Sequence, residues 1–326
     1  LRLTAGGTVQ VDGTIVSDGG RGQEDTAAPD GQGTGGGSGG SIWITAGSLA
    51  GSGIVSASGG DGSYEDYYKL WGGGGGGGRI RLDCGTKSAW SGDVKTFGGR
   101  GGQFDSSHVG LIPWRNPRMH GGAGTVYWNG PGLPTLEIRN FAHDSGTAAL
   151  TGTFPGVELI IRNALVATTG LGVKTLAMDD HAILTGNDNR TTLYAFPEFF
   201  SFPNRFPVWT PKAENFVAID AEENLSIDAT SRIDVSGLGG FSREDYEQEH
   251  GAVQNTAGGS YGGAGGTGRI NAYVGLPSST YGDSTWPVSA GLGGFGDEAL
   301  LASGYPYNQC GAAGSGGGAL RISVGG

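Results

Sequence analysis

The residues equipped for chemistry are few and scattered. "MDDH" (Met178 to His181) sets two adjacent carboxylates beside an imidazole, with Glu158 twenty-odd residues upstream. Asp179, Asp180 and Glu158 are therefore the acid/base candidates, since polysaccharide-cleaving sites work with two carboxylates across a groove. Alternation argues against the adjacent pair, because successive residues of a strand point to opposite faces. Carboxylates also gather with tyrosines in "DGSYEDYY" (Asp61, Glu65, Asp66) and "SREDYEQEH" (Glu244, Asp245, Glu247, Glu249). Asp61, Glu65 and Asp66 are calcium candidates, calcium being a cation that favours oxygen-rich clusters. Solvated loop charge is the competing reading. Neither the EF-hand spacing nor a regular GGxGxD nonapeptide period is present.

Other polar groups add little. His108, His120, His143, His181 and His250 are not spaced as metal pairs on one element, and no metal site is expected beyond the calcium candidates. Tyr64, Tyr67, Tyr68 and Trp71 crowd one glycine-rich loop and suit sugar stacking, subunit contact or packing of the loop on its own core. Tyr246, Tyr261, Tyr305 and Tyr307 sit in similar company. Cys84 ends a strand pattern and Cys310 precedes one, so a staple between coils is open, as are two unpaired thiols. Chance GxGxxG matches lack a following helix to cradle phosphate. The chain is expected not to be an enzyme and to need no cofactor, calcium apart.

What positions these residues is a repeat. "VQVDGTIVSDGGRG" (Val9 to Gly22), "LAGSGIVSASGGDG" (Leu49 to Gly62) and "LSIDATSRIDVSGLGG" (Leu225 to Gly240) each read as two short strands about a turn, opening a glycine-rich loop. The loops close alike. Glycine runs feed Ile42-Trp43-Ile44, Ile80-Arg81-Leu82, Val126-Tyr127-Trp128, Ile270 to Val274 and Leu320-Arg321-Ile322. Period-two alternation predicts one buried face in each. From Leu136 to Asn215 the glycine loops give way to closely spaced strands, interrupted by the Pro/aromatic insertion 196–211, "FPEFFSFPNRFPVWTP". No helical period with caps is found.

These features predict an all-β chain, a right-handed parallel β-helix (β-solenoid) with long glycine-rich insertions. A solenoid tolerates such insertions because loop closure costs rise only logarithmically with length. Three stretches are expected within one continuous domain: coils with glycine loops over 1–130, regular coils over 131–219, and glycine-loop coils again over 220–326. Gly72, Gly73, Gly74, Gly75, Gly76, Gly77 and Gly78 run directly into a strand. They are expected to pack as a polyglycine II-like layer, close enough to exclude side chains; mobile surface loops are the alternative.

The first residues, L-R-L-T-A-G-G, match the last, L-R-I-S-V-G-G, at four of seven positions. Leu1 and Leu3 thus mirror Leu320 and Ile322, which suggests end-to-end stacking or one period of a tandem array. The chain opens inside a strand pattern, so it is expected to be a mature or excised piece of something longer. Glycine accounts for 69 of 326 residues, yet 36% are hydrophobic, which favours a folded core over disorder. A net charge of −11 disfavours a nucleic-acid partner. No apolar run approaches ~18 residues, so no membrane span is expected.

"GGGSGGSIWITAGSLAGSGIVSASGGDG", "GGGGGGGRIRL", "GGAGTVYW" and "GGGALRISVGG" resemble glycine-rich repeat proteins of bacterial surfaces, which are adhesin-like secreted polypeptides. The resemblance covers 1–130 and 220–326, and the centre only loosely. It implies an extracellular, surface-associated structural or adhesive role with self-association, and carries no catalytic residues. A carbohydrate-binding or carbohydrate-active (lyase- or glycosidase-like) β-helix is the alternative, with a surface polysaccharide as partner.

Overall fold

The computed structural model describes residues 1–23, 33–65, 70–101, 119–132, 134–142, 146–186, 216–238, 264, 267–270, 273–275 and 317–325. Among them the regular secondary structure is almost entirely strand. The first half carries β1 (Arg2–Gln10), β2 (Thr14–Val16), β3 (Ser41–Gly51) and β4 (Ile54–Ser56). Next come β5 (Tyr64–Glu65), β6 (Leu70–Trp71), β7 (Arg79–Cys84), β8 (Ala89–Trp90), β9 (Asp93–Lys95) and β10 (Thr125–Asn129). The second half carries β11 (Thr135–Arg139), β12 (Ala148–Ala149), β13 (Gly152–Arg162), β14 (Leu165–Thr168), β15 (Gly170–Asp179) and β16 (Ile183–Gly186). It ends with β17 (Phe216–Ile227), β18 (Arg232–Asp234), β19 (Gly268–Ile270), β20 (Tyr273–Gly275) and β21 (Ala319–Val324).

One ten-stranded sheet dominates, in the order β1-β3-β7-β10-β11-β13-β15-β17-β21, with β8 attached to β3. Two smaller parallel sheets accompany it, β2-β4-β9 and β12-β14-β16-β18. β1, β3, β13, β15 and β17 are each followed after a tight corner by a short strand of one of these smaller sheets. β1, β13, β15 and β17 shift register partway along, at Ala5/Thr8, Phe154/Glu158 and Val173/Thr175. A bulge, one source of such a shift, bends a strand.

Alternation stacks like side chains on like. Ile42, Ile80 and Val126 share one register position, and Leu136, Leu159, Leu176 and Leu225 share another. Two buried clusters result. One runs from Val9 through Ile44, Leu49 and Leu82 to Val126; the other from Leu136 through Ile161 and Met178 to Ile219. Each fully buried Leu or Ile contributes roughly 1.5–3 kcal/mol.

The parallel order breaks once. β10 and β11 pair antiparallel, with Val126 opposite Glu137 and Tyr127 opposite Leu136. Residues directly opposite in an antiparallel pair share a face. Val126 is buried in the first cluster and Leu136 in the second, so the core changes face as the strand direction reverses. A half-turn about the axis that runs across the strands reverses both together. The turn is "NGPG", in which Gly132 has φ +107°, a conformation that costs other residues strain.

A second departure concerns Ile270 to Val274, expected as one strand of the stack. Residues Gly268–Ile270 and Tyr273–Gly275 instead pair antiparallel with each other, outside the large sheet. The matching termini fall at notable places: β1 and β21 are the two edge strands of the large sheet.

Candidate functional site

The glycine runs are ordered, and their hydrogen bonds say how. Runs 17–23, 57–63 and 96–101 leave the short strands β2, β4 and β9. Runs 33–40, 72–78 and 119–124 return to β3, β7 and β10. Outgoing runs bond to one another in parallel: Gly19 N–H to Ser58 and Gly22 to Asp61, then Gly59 to Phe97 and Gly62 to Arg100, all at 2.8 Å to the carbonyl. Returning runs do the same, Gly36 to Gly73 and Gly39 to Gly76 at 2.9 Å, then Gly74 to Met119 and Gly77 to Gly122 at 2.8 and 2.9 Å. Between the two rows the bonds are antiparallel. Gly72, Gly75 and Gly78 donate to Ser63, Gly60 and Ala57 at 2.9, 2.9 and 2.7 Å. Gly37 and Gly40 donate to Gly20 and Ser17 at 2.9 and 2.7 Å.

Donors to a given neighbour are spaced by three. That is the period of a threefold extended helix, which has no internal hydrogen bonds and turns successive N–H groups to different sides. Glycine is needed here for closeness. A Cβ on Gly72, Gly74, Gly75, Gly77 or Gly78 would overlap the backbone of an adjacent run. The described positive-φ glycines are Gly51, Gly132, Gly152, Gly156 and Gly237, none of them in the six runs. Gly73 and Gly76 differ: their Cβ atoms would meet nothing nearer than 3.7 and 4.0 Å. The third position of each turn faces outward.

The lattice returns to the sheet by one repeated contact. Gly40, Gly78, Gly124 and Gly318, each just before a long strand, donate to Ser17, Ala57, Thr96 and Val235, each just after a short one, at 2.7, 2.7, 2.7 and 2.8 Å. At the far end β5 and β6 pair antiparallel, with Tyr64 opposite Trp71 and Glu65 opposite Leu70.

The outer face of the large sheet carries a second constellation, which sequence reasoning did not single out. Arg2, Trp43, Arg81 and Tyr127 occupy one register position of β1, β3, β7 and β10. The guanidinium carbons of Arg2 and Arg81 lie 4.5 and 5.2 Å from the Trp43 ring centre, and Arg81 lies 5.2 Å from that of Tyr127. Asp83 anchors the row. It accepts from Trp43 Nε1 at 2.6 Å, Arg81 Nε at 2.8 Å and Asn129 Nδ2 at 2.9 Å. The Arg81 hydrogen bond, with those of Asn129 and Trp43, outweighs partial burial and holds the Asp83 carboxyl below its ordinary range. The alternation "SIWI…RIRL…TVYW" held this signal: its polar and aromatic positions align once the register is known.

The acid/base candidates are not brought together. Asp179 accepts from Arg162 Nε at 3.0 and 3.1 Å, and Arg162 also meets Glu137 at 3.6 Å. Glu158 lies four residues from Arg162 along β13, roughly 13 Å at strand rise, beyond the reach of an acid/base pair. Asp180 and His181 form an exposed corner at φ 54° and 64°. Their N–H groups donate to Asp228 Oδ2 at 3.0 Å and Thr230 Oγ1 at 2.9 Å. Hydrogen bonds from Ser231, Asp180 and Thr230 hold the Asp228 carboxyl well below the usual range. The cluster is spent on the corner itself.

Of the calcium candidates, Asp61 accepts from the Arg100 N–H at 2.7 Å within the lattice. Glu65 is placed by backbone alone and Asp66 lies outside the described residues. Among the described residues no group of three or more His, Cys, Asp or Glu side chains is arranged to hold a metal ion. Cys84 is a buried free thiol, its pKa pushed up by burial. His120 Nδ1 accepts from the Gly101 N–H at 2.9 Å, a contact within the lattice. Cys310, Tyr67, Tyr68, Tyr246, Tyr261, Tyr305, Tyr307, His108, His143, His250, the 244–249 acidic cluster and the 196–211 insertion lie outside the described residues. Among the described residues no helix is long and apolar enough to cross a membrane. No family model, curated protein or solved structure matches the chain.

Proposed function

We propose that the chain is a right-handed β-solenoid stiffened by a polyglycine II-like lattice. In this reading it serves as an extracellular structural or adhesive module of a cell-surface or fibre-forming protein. The observation that carries it is the hydrogen bonding of the six glycine runs in two directions across the coils. In the stretches 35–40, 57–63 and 72–78 two of every three N–H groups are committed to neighbouring backbone, so the insertions brace the stack. A braced rod with carboxylates spent on corners and ion pairs suits load-bearing or display better than turnover. The extracellular setting rests on the sequence resemblance and the acidic, glycine-rich composition.

Assembly proceeds through the edge strands, by stacking of copies or by tandem repetition. Leu1, just ahead of β1, and Ile322 and Val324 on β21 are apolar side chains left 62%, 42% and 51% exposed. An open strand edge is a template for further pairing. Because the sheet reverses once, β1 and β21 run in opposite senses, so a copy added by translation meets its neighbour antiparallel. β10 and β11 already pair that way. Electron microscopy of the protein across a concentration series tests this: rods with a constant axial repeat are expected. The Ile322→Lys/Val324→Lys variant should yield single particles with an unchanged melting temperature. Monodisperse particles of the parent protein at all concentrations would overturn end-to-end stacking.

A further inference from the structure

The row of Arg2, Trp43, Arg81 and Tyr127 borders a shallow groove of about 520 Å³. Two residues earlier on the same face stand Ser41, Arg79 and Thr125, which also line it. The groove crosses β1, β3, β7 and β10, hence about 14 Å along the stacking axis at ~4.8 Å per strand. It is open along its length, the shape for a segment of a linear polymer rather than an enclosed small molecule.

Its charge opposes that of the molecule. The chain carries −11 overall, yet three arginines line this groove, against Asp83 alone beside it among the described residues. Asp83 is engaged with Arg81, Trp43 and Asn129. Arg2 and Arg79 are exposed and make no ion pair among the described residues. Stacking on Trp43 holds the Arg2 and Arg81 guanidinium groups in place. A held guanidinium loses less rotamer freedom on pairing with a planar carboxylate.

The charge spacing narrows the partner. Duplex nucleic acid carries one charge per ~1.7 Å of axis, so it would set many phosphates against two or three arginines on an acidic body. A chain bearing one carboxylate per sugar ring fits that number of cations. The hydroxyls of Ser41 and Thr125 and the edges of Trp43 and Tyr127 suit its ring hydroxyls and apolar faces. We infer that this groove binds a carboxylated linear polysaccharide, a polyuronate, with Arg2 and Arg79 pairing with its carboxylates and Asp83 positioning Arg81 and Trp43.

The test is titration calorimetry of the full chain with polygalacturonate oligomers at low salt, beside fully methyl-esterified oligomers, dextran sulfate and duplex DNA. Binding of the free acid and loss with the methyl ester are expected. Arg79→Ala should weaken binding about tenfold, the scale of one charge-assisted hydrogen bond. Arg79→Gln, which keeps the aliphatic stem, should do the same without moving the melting temperature. Absence of binding, or binding indifferent to both Arg79 variants, overturns the site. Dextran sulfate or DNA binding as tightly, with the same dependence on Arg79, overturns the polyuronate assignment in favour of an unselective anion surface. Rod formation is read separately and does not involve Arg79, so the two proposals fail independently.

Discussion

Gly75 and Gly76 are neighbours of identical type in different surroundings. A Cβ on Gly75 would overlap the Gly37 carbonyl of the next run, while one on Gly76 would find nothing closer than 4.0 Å. Gly75→Ala must push two hydrogen-bonded backbones apart, at a cost of about 3 kcal/mol or more. Gly76→Ala should change stability by at most ~0.5 kcal/mol, or raise it slightly by restricting the unfolded chain. Urea unfolding of the two variants distinguishes a threefold lattice from a loosely packed loop. Equal losses at both sites would refute the lattice. The same distinction was half legible in the sequence. Seven glycines in a row announce close packing but hide which positions face out. Other runs mark them: Ser38 in "GGGSGG", Asp61 in "SGGDG" and Arg100 in "FGGRG" are all exposed third positions. A side chain appears where the lattice has room for one.

At the scale of elements, the runs behave as secondary structure of their own kind. Gly72, Gly74, Gly75, Gly77 and Gly78 donate to carbonyls, whereas Gly35, Ser38, Gly73 and Gly76 make no such bond among the described residues. Amide hydrogen exchange should therefore show two slow amides followed by one fast amide, repeating along 35–40 and 72–78. A β-ladder would give alternation with period two, and a disordered loop would give no protection, so either result would exclude the threefold arrangement. The strands around the runs were readable because alternation is a local property; β3, β7, β10 and β21 all lie where the apolar/polar pattern puts them. The reversal at β11 is not legible in the sequence. "NGPG" between two alternating stretches is a hairpin signal, but a glycine-rich turn is also what a coil corner looks like. Only the partner strand tells them apart. The groove on the outer face was hidden for a similar reason. Arg2, Trp43, Arg81 and Tyr127 are far apart in sequence, and only the register aligns them.

At the scale of the molecule, two buried clusters share one sheet and meet at β10 and β11, where three residue pairs define the register. So short a ladder is a narrow connection between two such clusters. Asn140 reinforces it. The side chain follows β11 and is only 3% exposed. Its Oδ1 accepts from the Gly98 N–H at 3.0 Å, and its Nδ2 donates to the Gly121 carbonyl at 3.2 Å, both in the glycine lattice. Arg139 adds a bond to Asp93 at 2.6 Å from the same corner. One amide thus ties the second cluster to the lattice that braces the first. Asn140→Ala would leave a buried N–H and a carbonyl without that partner, costing about 1–3 kcal/mol for each. The loss falls on the coupling between halves rather than on either core. Scanning calorimetry of the parent protein should show one cooperative transition. In Asn140→Ala it should split into two, the lower one belonging to the half that relies on its glycine runs for order. A variant that melts in one transition at the parent temperature would mean that the β10/β11 ladder, with the Arg139–Asp93 pair and the Gly146 N–H bond to His120, suffices to join the halves.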